Sequence, residues 1–370
     1  MKVMGIIFSN IYDSSLGELT NHRTVASLPF GGRYRQIDFA LSNMSNSGIY
    51  NIGIITKYNY RSLMDHLGNC SAWDLNRKNE GVVFLPPFVN GNTGTVYKGK
   101  LEALHSAIHF IDNSAYDYVV ICDSTVLCNI DFKKAIKQHI RSENDVTVIS
   151  HLKNDGNKYP LVLKTDDKDN VTEIRIDAYS HNDSYVGMGM FVISRKVLVK
   201  AIGDAYSKGY MHFERDYLQR KFNEQDIKLG AYRFDGTVLF NGDIKSYYTN
   251  NMALLKEEIR NGIFLKDAPI YTKVIDEAPT YYEAGASASN CIIADGCLMS
   301  GKAEDSVIFR KVVTGKDSFI KSSIIMQGAK IGVGARLEYV ILDKNVTITD
   351  GACLKGTPTN PVIIKKGEIV

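Results

Sequence analysis

The sequence predicts an α/β fold with two architectures in one chain: a Rossmann-like domain on a mainly parallel sheet, then a hexapeptide β-helix. Two observations carry this expectation. Short apolar runs alternate with amphipathic stretches through the first 260 residues, the pattern of strands buried on both faces and of helices that cover them. From about residue 285 the apolar period changes to six. The expected division is an α/β domain over 1–260, a linker over 261–284 and a β-helix over 285–370.

The strand candidates, in order, are "VMGIIFS" (3–9), "NIGIITK" (51–57), "GVVFLP" (81–86), "YVVICD" (118–123) and "DVTVIS" (145–150). Between them "RQIDFALSNMSNSG", "RSLMDHLG", "KLEALHSAIHFIDN" and "FKKAIKQHIRSE" carry helical spacing. Ligands of such sheets gather at the carboxyl ends of the strands, so the loops after the first and fourth strands are where chemistry is expected. The first loop reads "SNIYDSSLGEL" (9–19). A phosphate-binding loop needs glycines for close backbone approach, and none occurs here before Gly17.

In the last third, Val307, Val313, Phe319, Ile325, Ile331 and Leu337 are six apart and all apolar. Ile292 and Leu298, Ile293 and Met299, and Ile348 and Leu354 share the spacing, and Ala294-Asp295-Gly296, Gly332-Val333-Gly334-Ala335 and Asp350-Gly351-Ala352 supply small or turn-forming residues between these apolar positions. A helix cannot keep a six-residue period on one face, whereas stacked short strands of a coil can.

Composition narrows the function classes. Apolar residues are 44% and charged residues 23% of 370, the profile of a globular protein. Forty-four Lys and Arg against 41 Asp and Glu leave +3, too balanced for a nucleic-acid binder. No apolar run approaches a membrane span. The short apolar N-terminus does not suit a secretory signal, so a cytoplasmic location is expected. The six cysteines contain no CxxC pair and read as free thiols. His105 and His109 lie four apart without an HExxH pattern.

At "SLPFGGRYRQIDFALSNMSNSGIYNIGIIT" (27–56) the chain resembles glucose-1-phosphate adenylyltransferase (ADP-glucose pyrophosphorylase). The likeness continues through "SLMDHLGNCSAWDLNR" (62–77), "VYKGK" (96–100), "MGMFV" (188–192) and "NNMALL" (250–255), and covers nearly the whole chain. It implies a Rossmann-like nucleotidyltransferase domain followed by a left-handed hexapeptide β-helix. It also implies a fixed set of catalytic groups: a glycine-rich loop with an arginine, a lysine near the phosphates, and two aspartates holding Mg²⁺.

Residue by residue that set is missing. The family loop resembles GGxGxRLxxLT; anchoring on Leu19-Thr20 puts Asn10, Ile11 and Asp13 at glycine positions and Ser15 at the arginine. The family's RAKPAVPF reads "RTVASLPF", so Val25 stands for the lysine. Its SGDHIYxxD reads "DSTVLCNID", so Thr125 stands for the first metal-binding aspartate, with Asp123 two residues away. Phe240, in "VLFNGDIKSYYTNN", stands for the second, and no lysine of an FxEKP motif follows "VTE" (171–173). The glutamine of TQY is Lys57. Losing one preorganised electrostatic group typically costs about 10²–10³ in rate, so loss of all of them predicts a silent catalytic site with no Mg²⁺ cofactor.

The resemblance therefore implies a non-catalytic, D-type regulatory subunit that partners a catalytic glucose-1-phosphate adenylyltransferase subunit in a mixed tetramer of bacterial glycogen biosynthesis. Arg33, Arg35, Lys57, Trp73 and Lys98 are the candidates for contact with an anionic or sugar-phosphate effector or with the partner. Trp73 reads equally well as framework. Three alternatives stay open: an active adenylyltransferase with relocated ligands, a stand-alone sugar-phosphate sensor, and a hexapeptide acyltransferase. The last needs a histidine base on the coil, and the final histidine is His212.

Overall fold

The computed structural model describes residues 2–10, 13–87, 97–181 and 183–370. The chain forms two compact units: Met1–Ile11, Phe39–Tyr60 and Gly68–Val238 make the first, and Tyr12–Asp38, Arg61–Leu67 and Leu239–Val370 the second.

The first unit is built on one nine-stranded sheet. Its strands are β1 (Val3–Phe8), β2 (Asn51–Ile55), β3 (Gly81–Leu85), β4 (Tyr118–Asp123), β5 (Val146–Leu152), β6 (Lys158–Thr165), β7 (Val171–Tyr179), β8 (Tyr185–Ser194) and β9 (Leu229–Arg233). The path runs β7-β6-β8-β4-β1-β2-β3, with β5 pairing β8 and β9. All five strands expected from sequence form, and β4, β1, β2 and β3 run parallel. Burial explains their apolar composition: every residue of β1 is buried, as are five of the six in β4. The antiparallel strands β6, β7 and β8 extend the sheet beyond β4. Apolar periodicity did not single out β6 and β7, because only part of each is covered and polar residues interrupt them.

Helices α1 (Gln36–Asn46), α2 (Arg61–Leu67), α3 (Lys100–Ser106) and α4 (Phe132–Arg141) follow the helical stretches of the sequence, while α5 (Arg195–Lys208) and α6 (Ile244–Ala253) lie outside them. The Asp131 carboxylate caps α4 by accepting from the Lys133 N–H at 3.0 Å. The stretch "KLEALHSAIHFIDN" breaks at Ala107 into α3 and a short helix at Ile108–Asp112. His105 stacks on Tyr206 with ring centroids 4.0 Å apart.

The first described segment in the loop after β1 is not an α-helix. Asp13–Thr20 is a 3₁₀ segment kinked at Gly17, where φ is 48°. Ile11 and Tyr12 of the first loop lie outside the described residues.

In the second unit three parallel five-stranded sheets wrap a left-handed β-helix from Tyr281 to Ile364. The coil is not a strict run of sixes. Phe319 pairs with Lys302 on one side and Arg336 on the other, each seventeen residues away. Two sides of such a coil advance by six and the third by five. The six-residue series from the sequence therefore slips: Val313 is 37% exposed and Phe319 half-buried, while Thr314 (1%) and Ile320 (0%) face inward. Ile325, Ile331 and Leu337 are buried as expected. Coils stack closely enough that a Cβ on Gly332 would lie 2.5 Å from the Asp350 nitrogen. No helix among the described residues is long and apolar enough to cross a membrane.

Candidate functional site

A basic cleft lies within the second unit. Arg33, Arg35, His66, Lys273, Arg310 and Lys344 line it, and no carboxylate does. It is shaped by a tight hairpin in which Phe30 pairs with Tyr34 and Pro29 with Arg35. Gly31 and Gly32 turn the chain there at φ of 60° and 84°, conformations that side chains with a Cβ disfavour. Helix α6 fixes the hairpin from behind: Asn251 Oδ1 accepts from the Gly31 N–H at 3.0 Å, and the Tyr247 hydroxyl donates to the Pro29 carbonyl at 2.5 Å.

Most of the cleft's cations are held in place by the fold. The Arg35 guanidinium donates to the Ser62 carbonyl at 2.6 Å and its hydroxyl at 3.0 Å, while its backbone N–H donates to Asp38 at 2.9 Å. His66 Nε2 sits 2.6 Å from the other Asp38 oxygen. Arg310 pairs with Asp295 at 2.8 Å, and Lys273 donates to the Asp65 carbonyl at 2.7 Å.

Crowding shows in the ionisation of these groups. Burial, against the pull of Asp38, brings Arg35 down to about 10. Burial also lowers His66. Lys344 falls furthest, to about 7, through burial and then the Arg35 and Arg23 charges. Its neighbour Asp343 offsets this only in part. The Asp343 carboxylate is already committed to Arg23, whose Nη2 donates to both of its oxygens at 2.6 and 2.7 Å, both side chains being 3% exposed. An assembly of cations with too few carboxylates suits an anion rich in acceptor oxygens, such as a phosphoryl or sulfate group.

Arg33 and Arg35, singled out from sequence, are thus brought together in one cleft, but Lys57, Trp73 and Lys98 do not line it. Trp73 is 1% exposed and its carbonyl accepts from the Ser45 hydroxyl at 2.7 Å, a framework position. The Lys57 ammonium lies 5.5 Å from the Tyr58 ring, and Lys98 is exposed. Sequence reasoning missed His66, Lys273, Arg310 and Lys344, which no motif connects.

The four residues that the sequence resemblance sets at catalytic positions, Ser15, Val25, Thr125 and Phe240, are all uncharged. Ser15 is exposed on the 3₁₀ segment, Val25 is fully buried, and Thr125 is 4% exposed just beyond β4. Phe240 is half-buried and its carbonyl accepts from the Asn250 amide at 2.8 Å. Asp123 ends β4 with its side chain 2.9 Å from the Lys100 ammonium.

A parallel-cored sheet followed by a coil of short parallel strands is the architecture of a nucleotidyltransferase-type domain carrying a hexapeptide β-helix. Residues 5–257 match the nucleotidyl transferase family, and residues 273–357 match the C-terminal hexapeptide of GlmU-like proteins. The chain is 32% identical to the glycogen biosynthesis protein GlgD of Bacillus subtilis (strain 168), over 100% of this chain and 97% of that protein. It is 34% identical to GlgD of Geobacillus stearothermophilus, with 100% and 97% covered. It is 30% identical to the glucose-1-phosphate adenylyltransferase of Bacillus thuringiensis (strain Al Hakam), with 96% and 95% covered. The chain belongs to the glucose-1-phosphate adenylyltransferase family, as the sequence resemblance implied.

The Mg²⁺ that the family implies does not fit the side chains of Thr125 and Phe240. A hard cation takes oxygen ligands; a phenyl ring offers none, and the Thr125 hydroxyl is a neutral donor. Among the described residues no group of three or more His, Cys, Asp or Glu side chains could hold a metal ion.

Proposed function

We propose that the chain is a catalytically silent regulatory subunit in bacterial glycogen biosynthesis. It would pair with a catalytic glucose-1-phosphate adenylyltransferase, which makes ADP-glucose and diphosphate from ATP and glucose 1-phosphate. The observation that carries the reading is the coincidence of uncharged groups at Ser15, Val25, Thr125 and Phe240 with an intact basic cleft at Arg33 and Arg35. Nucleotidyl transfer depends on positioning and charge neutralisation, and those four side chains supply neither a cation for the phosphates nor a carboxylate for a metal. The cleft, by contrast, is suited to an anionic effector of the sugar-phosphate class. An anion there would relieve the mutual repulsion of Arg35, Arg23 and Lys344. That favours the arrangement of hairpin, α2 and coil that holds those groups together.

The test is to express the chain alone and together with a catalytic homologue, and to measure ADP-glucose synthesis and native mass. The expected result is no synthesis by the chain alone, and a mixed oligomer with altered rate or substrate affinity. Synthesis by the isolated chain overturns the silent assignment. An unchanged mass, rate and affinity on mixing overturns the partnership. Replacing both Arg33 and Arg35 by Ala should abolish the response to an anionic effector while leaving the mixed oligomer's mass unchanged.

A further inference from the structure

The buried Lys100 and Asp123 cluster with the half-buried Glu214 in the first unit. The Lys100 ammonium is 2.9 Å from Asp123 Oδ2 and also pairs with Glu214 Oε1. It lies 5.8 Å from the Phe8 ring and 5.5 Å from the Phe191 ring. Lys100 and Asp123 are 5% and 2% exposed. Phe8 and Asp123 end the neighbouring parallel strands β1 and β4 and pair with each other in register, at the carboxyl end of the sheet where ligands of this architecture gather.

The backbone around the cluster is shaped to admit it. Gly189 sits at φ 64°, where the pairing of β8 with β5 slips between Gly187 and Met190. A Cβ there would lie 2.3 Å from Asp123 Oδ2. Gly99, just before Lys100, lets the chain pass the Met211 carbonyl, which a Cβ would meet at 2.1 Å. The Leu101 N–H then donates to that carbonyl at 3.0 Å, tying the start of α3 to the segment before Glu214. Asp216 Oδ2 accepts from the Met211 and His212 N–H groups at 2.9 and 2.8 Å and fixes the turn that carries Glu214.

The cluster remains short of positive charge. One ammonium faces two carboxylates, and Asp123 Oδ1 has no hydrogen-bond partner despite its burial. A buried ion pair is a poor way to gain stability, since apolar side chains of equal volume usually serve as well or better. A pair of carboxylates with an unsatisfied oxygen is instead the donor set of a hard divalent cation, which needs only one or two carboxylates and completes its shell with water.

We propose that Lys100 is the tethered cation of a latent metal site: its ammonium fills a pocket built on Asp123 and Glu214 that otherwise takes a divalent cation. The site is separate from the basic cleft and does not depend on the function proposed above. Its occupant is part of the chain, so the unsubstituted protein takes no metal there, and removing the lysine side chain creates a binding site.

The test uses the full chain and Mn²⁺ as the probe, followed by calorimetry and by the loss of free-ion paramagnetic signal. Lys100→Ala should bind about one Mn²⁺ per chain, at least about tenfold more tightly than the unsubstituted protein, through two carboxylates. Adding Asp123→Asn to Lys100→Ala should remove that gain. A folded Lys100→Ala chain that binds Mn²⁺ no more tightly than the unsubstituted protein overturns the proposal, as does a gain that survives Asp123→Asn. Should Lys100→Ala accumulate unfolded, it is refolded with and without Mn²⁺. Recovery only with the cation supports the proposal, and failure in both conditions overturns it.

Discussion

Raising the pH from 7 to 8.5 should weaken anion binding at the basic cleft about tenfold, through the proton on Lys344. The free cleft holds this amine at about 7, so it is half-charged at pH 7 and mostly neutral at pH 8.5. An anion about 4 Å away, at an effective dielectric constant near 20, favours the charged amine by about 4 kcal/mol. That is about three units of pKa, which keeps the amine charged in the complex throughout this range. Binding then takes up a proton, and its strength falls as the free amine loses one. The neighbouring Arg35 remains charged over the window, at about 10, and burial keeps His66 neutral above its ordinary value.

Sulfate is the probe, because it does not itself titrate near neutrality. Isothermal calorimetry at the two pH values, in buffers of different ionisation enthalpy, reads both the affinity change and the proton uptake. Lys344→Met should flatten the profile. A change in Kd below about twofold with no proton uptake would refute the coupling of this amine to the anion.

Further consequences follow from the same packing. The folded-state pKa of Lys344 lies below its ordinary value of 10.5, so the folded chain binds fewer protons between about pH 7 and 10.5 and the amine's penalty disappears as pH rises across that window. Lys344→Met should therefore stabilise the chain most at pH 7 and least near pH 10, as read by urea denaturation. Arg23→Ala should cost about 3–5 kcal/mol, since it leaves Asp343 buried and unpaired; a loss below about 1 kcal/mol would contradict the bridge. Val25→Lys, which supplies the cation expected at that position, should destabilise rather than activate, because the site is 0% exposed. Thermal unfolding and an ADP-glucose assay of the same preparation separate the two outcomes.

Much of the fold was legible because its signals are local. Five apolar runs gave β1 to β5, among them the adjoining parallel strands β4, β1, β2 and β3, and the six-residue period with its Gly-containing corners gave the β-helix. Two features were not legible for physical reasons. Strands β6 and β7 are covered on only part of their length, so their apolar residues do not form an unbroken run. The coil advances by seventeen residues, and a fixed period of six drifts by one residue per turn. Val313 was accordingly assigned the inward place that Thr314 holds.

The two charged sites were legible to different degrees, and the difference lies in sequence separation. Arg33 and Arg35 stand in one hairpin with two glycines, so a short stretch announces a basic loop. Their companions Lys273, Arg310 and Lys344 arrive on other segments, and only the fold reveals that six bases share one cleft without a carboxylate. Lys100, Asp123 and Glu214 are further hidden: a single lysine and two acids, 23 and 114 residues from the lysine, resemble ordinary surface charge. Reading Asp123 as a relocated metal ligand from sequence alone would have overlooked that Lys100 already occupies its carboxylate. The first site gathers cations with too few carboxylates, whereas the second gathers carboxylates around one internal cation. Only the first is therefore poised to take its missing charge from solution, and binding there should respond to pH through Lys344 while the second stays closed as long as Lys100 is in place.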